Sequence, residues 1–271
     1  MNKILYYILV LICTVIASGC QQEEILEPDS IFIEKTVIFA NLKDGLLFDG
    51  VTITKTLPLS EKYDIKKAEI TNAAGYIQVN GMQIIPLSYN KDGVYKSLHP
   101  ITIKSGNTYE LFIDIDGKQI YATTYVPYKP VITEAHIVGD QYLTAKIKIG
   151  PSAVYGAAWY IPGATVNSYL GMAHDFQEIT DPKTIITGED VIIRTIDIPL
   201  VYRSSTYSNL TLVKAYAFDT QYYDYFKSKS NNQQITNSFT QGGGQTIWNI
   251  KGTGVIGLFI GSSESSTVKP N

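Results

Sequence analysis

Cysteine is all but missing from this chain. It has two among 271 residues, Cys13 and Cys20, both in the opening segment. A chain cut just before Cys20 and acylated there keeps no pair for a disulfide, no free thiol nucleophile and no thiolate metal site. Histidine is nearly as scarce, with His99, His136 and His174 the only three. They form no H-E-x-x-H motif and no spaced cluster, so zinc chemistry is not expected. There is no G-x-S-x-G elbow for a serine hydrolase. No pair of carboxylates stands out for glycoside hydrolysis. His174-Asp175 with a distant serine is the nearest approach to a triad, so an uncharacterised hydrolase is the alternative to a chain that is no enzyme. Charge is sparse too. Charged residues make up 17% and the formal net charge is −3. With no basic patch, nucleic acid is not an expected partner. No cofactor or metal is implied.

What is present begins with the first twenty residues. Lys3 precedes an apolar run from Ile4 to Ile16, and Ala17-Ser18-Gly19-Cys20 follows. A cationic start, a short apolar core and small residues before a cut site read as a secretory signal. The run falls short of the roughly 20 apolar residues that span a bilayer. The small residues and the cysteine resemble a bacterial lipobox, with Ala17 where Leu is commoner. The expectation is cleavage after residue 19 and diacylglyceryl attachment at Cys20, which makes the protein lipid-anchored. Gln21-Gln22-Glu23-Glu24 comes directly after the anchor. It resembles the acidic surface-export signal of Bacteroidota lipoproteins, and a plain solvated tether is the other reading.

The rest reads as strands. Tyrosine alone numbers 20, and short alternating segments recur between turn signals. Asn80-Gly81, Asn90-Lys91-Asp92-Gly93 and Asp116-Gly117 are hairpin signatures. Ile65 to Thr71 reads as a strand. After Ser105-Gly106-Asn107, Tyr109, Leu111, Ile113 and Ile115 alternate with Glu110, Asp114 and Asp116, and Phe112 breaks the polar face. Asp114-x-Asp116-Gly117 lacks the further oxygen ligands and terminal Glu of a calcium loop, which favours a turn. The expected architecture is all-β: an Ig-like or transthyretin-like β-sandwich, followed by a second mostly-β domain with one short helix. The divisions are residues 1–19 as signal peptide, 20–30 as tether, 31–127 as sandwich, 128–261 as second domain and 262–271 as a disordered tail.

In the second half, Asp219 is a candidate N-cap for the one credible helix. Tyr222, Tyr225 and Phe226 share a face of it, and Lys227 and Lys229 fall near its expected C-terminal end. Ser228 to Gln245 reads as a loop. Trp159, Tyr160 and Tyr222 are the candidate ligand-contacting aromatics. The alternative for each is core packing. Gly252-x-Gly254-x-x-Gly257 formally matches a dinucleotide fingerprint. No βαβ unit can follow it in the remaining residues, so the match is spurious. Its glycines point instead to a bulge or a close backbone approach.

Asn249-Ile250-Lys251-Gly252-Thr253-Gly254-Val255-Ile256-Gly257 resembles the closing N-I-x-G-G-x-G-V-F-G segment of a Bacteroidota lipoprotein family classed as a domain of unknown function. Thr253 and Ile256 depart from that pattern. Ala68-Glu69-Ile70, Gly93-Val94-Tyr95, Gly106 to Leu111, Tyr121 to Pro127 and Tyr222 to Phe226 agree in order. The resemblance thus covers nearly the whole chain. It carries no catalytic residues. It implies an outer-membrane lipoprotein and, as a possible partner, a TonB-dependent outer-membrane transporter. The function expected is a surface-exposed binding or accessory component of such an uptake system. The alternative is a structural, adhesion or envelope-assembly lipoprotein without a small-molecule ligand. A binding role predicts a concave, aromatic-rimmed pocket, and an assembly role predicts a flat apolar patch or an open sheet edge.

Overall fold

Turn chemistry fixes the register of this protein. In a computed structural model that describes residues 32–58, 60–162, 176–203, 210–233 and 246–271, Asn80 and Gly81 have φ of 52° and 69°, and Asp116 and Gly117 have 53° and 80°. Two successive residues at positive φ match the right-handed twist of flanking strands. Each pair therefore closes a tight hairpin. Asn80-Gly81 joins β3 (Ala74–Val79) to β4 (Gln83–Lys91), and Asp116-Gly117 joins β6 (Thr108–Ile115) to β7 (Lys118–Tyr125).

The remaining elements of the first half are β1 (Thr36–Lys43), β2 (Val51–Lys55), a single helical turn α1 (Ile65–Ala68) and β5 (Val94–Ser97). The turn α1 replaces the strand expected at Ile65 to Thr71. Asp64 precedes it, and its Oδ1 accepts from the Lys66 amide at 2.9 Å. That cap satisfies an amide a strand would have given to a neighbour. Only Glu69 keeps strand pairing, with Thr54.

In the second half, β8 (Val131–Val138), β9 (Tyr142–Lys148) and β11 (Asp190–Arg194) form a three-stranded sheet in the order β11-β9-β8. The others, β10 (Ala153–Tyr160), β12 (Leu212–Asp219) and β13 (Val255–Glu264), join the first half in one ten-stranded sheet ordered β10-β12-β13-β1-β2-β5-β4-β3-β6-β7. The helix α2 (Tyr222–Gln233) follows β12. The large sheet curls, and β7 returns to lie against β13. There the Gly261 amide donates to Thr124 Oγ1 at 2.7 Å.

Strand β13 ties the chain together. It pairs in parallel with β1 over eight residues, Thr36 opposite Val255 through Lys43 opposite Ser262, and antiparallel with β12. Residues Glu34–Asn271 are one compact unit. The expected boundary near Tyr128 lies between β7 and β8, but the last strand crosses back over it. Residues 262–271 are not a disordered tail. β13 runs to Glu264, Val213 and Val268 exchange two backbone hydrogen bonds, and the Asn271 amide donates to Ala135. Their polar composition reads as solvated in sequence. In the fold the hydroxyls are internally satisfied, with Ser262 Oγ on Asn41 Oδ1 at 2.7 Å and Ser263 Oγ on the Tyr128 carbonyl at 2.9 Å.

Three apolar clusters fill the layers. Ile38, Leu42, Ile53, Ile77, Leu111 and Phe259 are among those buried inside the curl. Leu143, Ile147, Ala157 and Trp159 pack between the two sheets. On the opposite face of β10, β12 and β13, Phe176, Phe218 and Leu258 lie with Tyr222, against which Tyr225 and Phe226 pack. The expected aromatic stripe of the helix therefore faces a sheet. Asp219 lies three residues before the first helical residue, and its Oδ1 accepts from the Gln221 amide in the turn leading in at 3.2 Å. Its Oδ2 accepts from Thr124 Oγ1 at 2.9 Å and from the Tyr125 amide at 2.6 Å, which ties the same carboxylate to β7. The helix also extends to Gln233, past the start expected for the loop, which leaves Lys227 and Lys229 in its interior.

Candidate functional site

Strand β6 has one residue out of phase. Tyr109, Leu111, Ile113 and Ile115 are buried, as period-two alternation requires. Phe112 sits on the outer face between Glu110 and Asp114. Register explains what it does there. Tyr76 of β3 lies opposite Phe112, and Phe112 lies opposite Tyr121 of β7. Three half-buried rings thus run in a row across three adjacent strands. Tyr76 and Phe112 have centroids 4.9 Å apart at 21°, and Phe112 and Tyr121 are 5.0 Å apart at 55°.

A wall rises at one end of the row. The segment leading into β13 pairs with the edge of β7: the Tyr121 amide donates to the Lys251 carbonyl at 2.9 Å, and the Lys251 amide donates back at 2.8 Å. This places Lys251 Nζ 5.9 Å from the Tyr121 ring centroid. Gly252 follows at φ +154°, where a Cβ would stand 3.3 Å from the Gln119 carbonyl. The rings, Ala74, Asp114 and Gln119 line the resulting concavity, which has a volume of about 650 Å³ and is closed by Lys251 and Gly252.

Its electrostatics are mixed. Tyr121 Oη donates to Glu110 Oε1 at 2.9 Å. Burial, and then the Glu110 carboxylate, push the Tyr121 hydroxyl above its ordinary range, so it stays a neutral donor at any working pH. Asp114 Oδ1 accepts from the Gly117 amide at 2.9 Å, which seats that carboxylate at the mouth of the hairpin. An anion, an amide and a cation therefore rim an aromatic floor. Such a site suits an amphipathic ligand held by shape, ring contact and a few hydrogen bonds. Among the described residues, no group of three or more His, Cys, Asp or Glu is placed to hold a metal ion.

The aromatics singled out from sequence lie elsewhere. Trp159 is 1% exposed between the sheets, and Tyr222 is 2% exposed beneath the helix, on the opposite face of β10 and β12. Tyr160 is half-buried at the end of β10. None of the three lines the concavity, and the first two are core residues, as their size and apolar neighbours dictate. His99 and His136 are exposed, on a bend after β5 and on β8. Cys20, Gln21, Gln22, Glu23, Glu24, His174 and Asp175 lie outside the described residues. The site was half visible in sequence, because Phe112 visibly breaks the polar face of β6. Tyr76 and Tyr121 gave no comparable signal, since only register places them beside it.

A family model described as a domain of unknown function, DUF4249, matches residues 23–268. The chain belongs to the DUF4249 family. The match spans both sheets and the whole concavity, so the site is built entirely of family sequence. No curated protein matches the chain. A solved structure, a DUF4785 family protein from Legionella pneumophila, is similar over 69% of this chain and 52% of its own length, at 10% identity and a TM-score of 0.26. The chain thus spans about half the length of that protein.

Proposed function

We propose that this DUF4249 chain is a lipid-anchored outer-membrane protein, held by acyl chains on Cys20 and exposed at the cell surface, that serves as a binding or accessory component of a TonB-dependent uptake system. The observation that carries the binding part is the aromatic-floored concavity on the outer face of β3, β6 and β7. A flat sheet face would have favoured assembly; a walled hollow rimmed by Asp114, Gln119 and Lys251 favours a ligand. The anchoring part rests on the lipobox-like Ala17-Ser18-Gly19-Cys20, and the surface part on Gln21-Gln22-Glu23-Glu24. The transporter rests on the family resemblance.

The test is a pull-down of the tagged, lipidated protein from native outer membranes, with protease shaving of intact cells alongside. The expected result is a TonB-dependent transporter in near-stoichiometric amount and loss of the protein to external protease. Recovery of the protein alone, protected from protease, would overturn the accessory reading in favour of a structural role inside the envelope.

A further inference from the structure

From the row Tyr76–Phe112–Tyr121 and its rim we infer that the concavity binds an oligosaccharide; this rests on the reading of the hollow as a ligand site. The first argument is ring geometry. Face-on contact between carbon atoms needs roughly 3.5 Å, whereas Tyr76 and Phe112 stand 4.9 Å apart and nearly parallel. The rings are therefore offset like shingles, and part of each face stays uncovered. A pyranose ring has one face of C–H groups and a girdle of hydroxyls. Its C–H face carries slight positive charge and lies well on the negative face of an aromatic ring.

The rim supplies the second argument. A ligand rich in hydroxyls needs donors and acceptors close together. Asp114 accepts, Lys251 donates, and Gln119 does both. A purely apolar ligand would desolvate the Lys251 ammonium and the Asp114 carboxylate without compensation. A cationic ligand would face Lys251 where it approaches Tyr121. The third argument is dimension. With strands about 4.8 Å apart, three rings on three strands extend about 10 Å between the outer centroids, the span of two linked sugar rings. Cross-strand aromatic contact alone would stabilise the sheet. It would not require a wall that fixes a lysine above the last ring through two backbone hydrogen bonds.

The test is titration calorimetry of the purified full chain in detergent against maltohexaose, cellohexaose, xylohexaose, mannohexaose and chitohexaose, with benzyl alcohol as an aromatic probe. At least one hexasaccharide should bind with a Kd between about 10 μM and 1 mM. Phe112→Ala and Tyr121→Ala should each weaken it at least about tenfold. If either fails to fold by circular dichroism, Lys251→Met, a change at an exposed side chain, is read in its place and should weaken binding several-fold. Heat from benzyl alcohol but from no hexasaccharide, no binding by any probe, or hexasaccharide binding indifferent to every folded variant would overturn the assignment. A transporter recovered in the pull-down without hexasaccharide binding would reject the ligand class and leave the accessory role standing. Hexasaccharide binding without a transporter would do the reverse.

Discussion

At the scale of single residues, two glycines of one segment separate backbone freedom from close approach. Gly257 has φ +139°, and a methyl group there would overlap the carbonyl of Ile38 on the neighbouring strand. Gly254 has φ +67°, and a Cβ there would meet nothing within 4 Å. Gly257→Ala combines a strained dihedral with a backbone collision, so it should destabilise the protein by about 3 kcal/mol or more. Gly254→Ala meets strain alone and should cost about 1–2 kcal/mol. Urea denaturation of the two variants checks this, and equal losses would mean that Ile38 yields to the methyl. That a close approach occurs in this segment was legible from its glycines. The partner was not, because Ile38 lies over two hundred positions earlier and only the parallel β1–β13 register brings it there. The same applies to the aromatic row: Phe112 announces itself by breaking alternation, while Tyr76 and Tyr121 become its neighbours through pairing that no local pattern encodes.

At the scale of elements, β13 is held by charge as well as by its ladders. Glu264 at its end meets Lys43 of β1 at 2.9 Å and Lys214 of β12 at 3.4 Å. Burial works to raise the Glu264 pKa, but the hydrogen bond and charge of Lys43, with Lys214 behind them, outweigh it and hold the carboxyl below its ordinary range. A carboxyl whose folded pKa is depressed adds stability above its unfolded pKa, and that stability fades as the pH falls through the folded value. Glu264→Gln should therefore cost up to about 1 kcal/mol at neutral pH, the range for partly exposed pairs. The difference from the native protein should shrink as the pH drops below about 4. Melting temperatures across pH read it directly, and a gap that persists at low pH would assign the loss to packing. The polar end of β13 is also where composition misled. Serines and a glutamate near a terminus read as solvated tail, yet Ser262 and Glu264 find partners on β1 and Ser263 finds one at Tyr128, all far away in sequence. At α1 the local signal was Asp64 ahead of Lys66, Lys67 and Ala68, which favour a helical turn, but the flanking Ile65 and Ile70-Thr71 suit a strand and the turn is too short for a helical period to show.

At the scale of the molecule, the question is whether the halves separate. The strand-rich class and most strand positions follow from alternation and turn residues, which are local. The single large sheet does not, because it depends on β13 inserting between β1 and β12. A second link acts at the same seam. Asp219, 4% exposed at the end of β12, receives hydrogen bonds from Thr124 Oγ1 and the Tyr125 amide of β7, and Thr124 Oγ1 in turn accepts from Gly261 of β13. The Thr124 hydroxyl thus joins β7 to the β12 carboxylate on one side and to the β13 backbone on the other. Asp219→Ala leaves the buried Thr124 hydroxyl and the half-buried Tyr125 amide without their acceptor, which should cost about 2–4 kcal/mol. If β12, β13 and β7 melt together, scanning calorimetry of the full chain should show one transition in the native protein and one, at lower temperature, in the variant. Two transitions of which only the lower moves would mean that the sheet parts at the β1–β13 seam and that the halves unfold as separate units. In a single-transition protein, a ligand seated on β3, β6 and β7 should raise that one melting temperature, because binding to the folded state alone stabilises everything that unfolds with it. Binding on the first-half strands would then be felt as far away as β10.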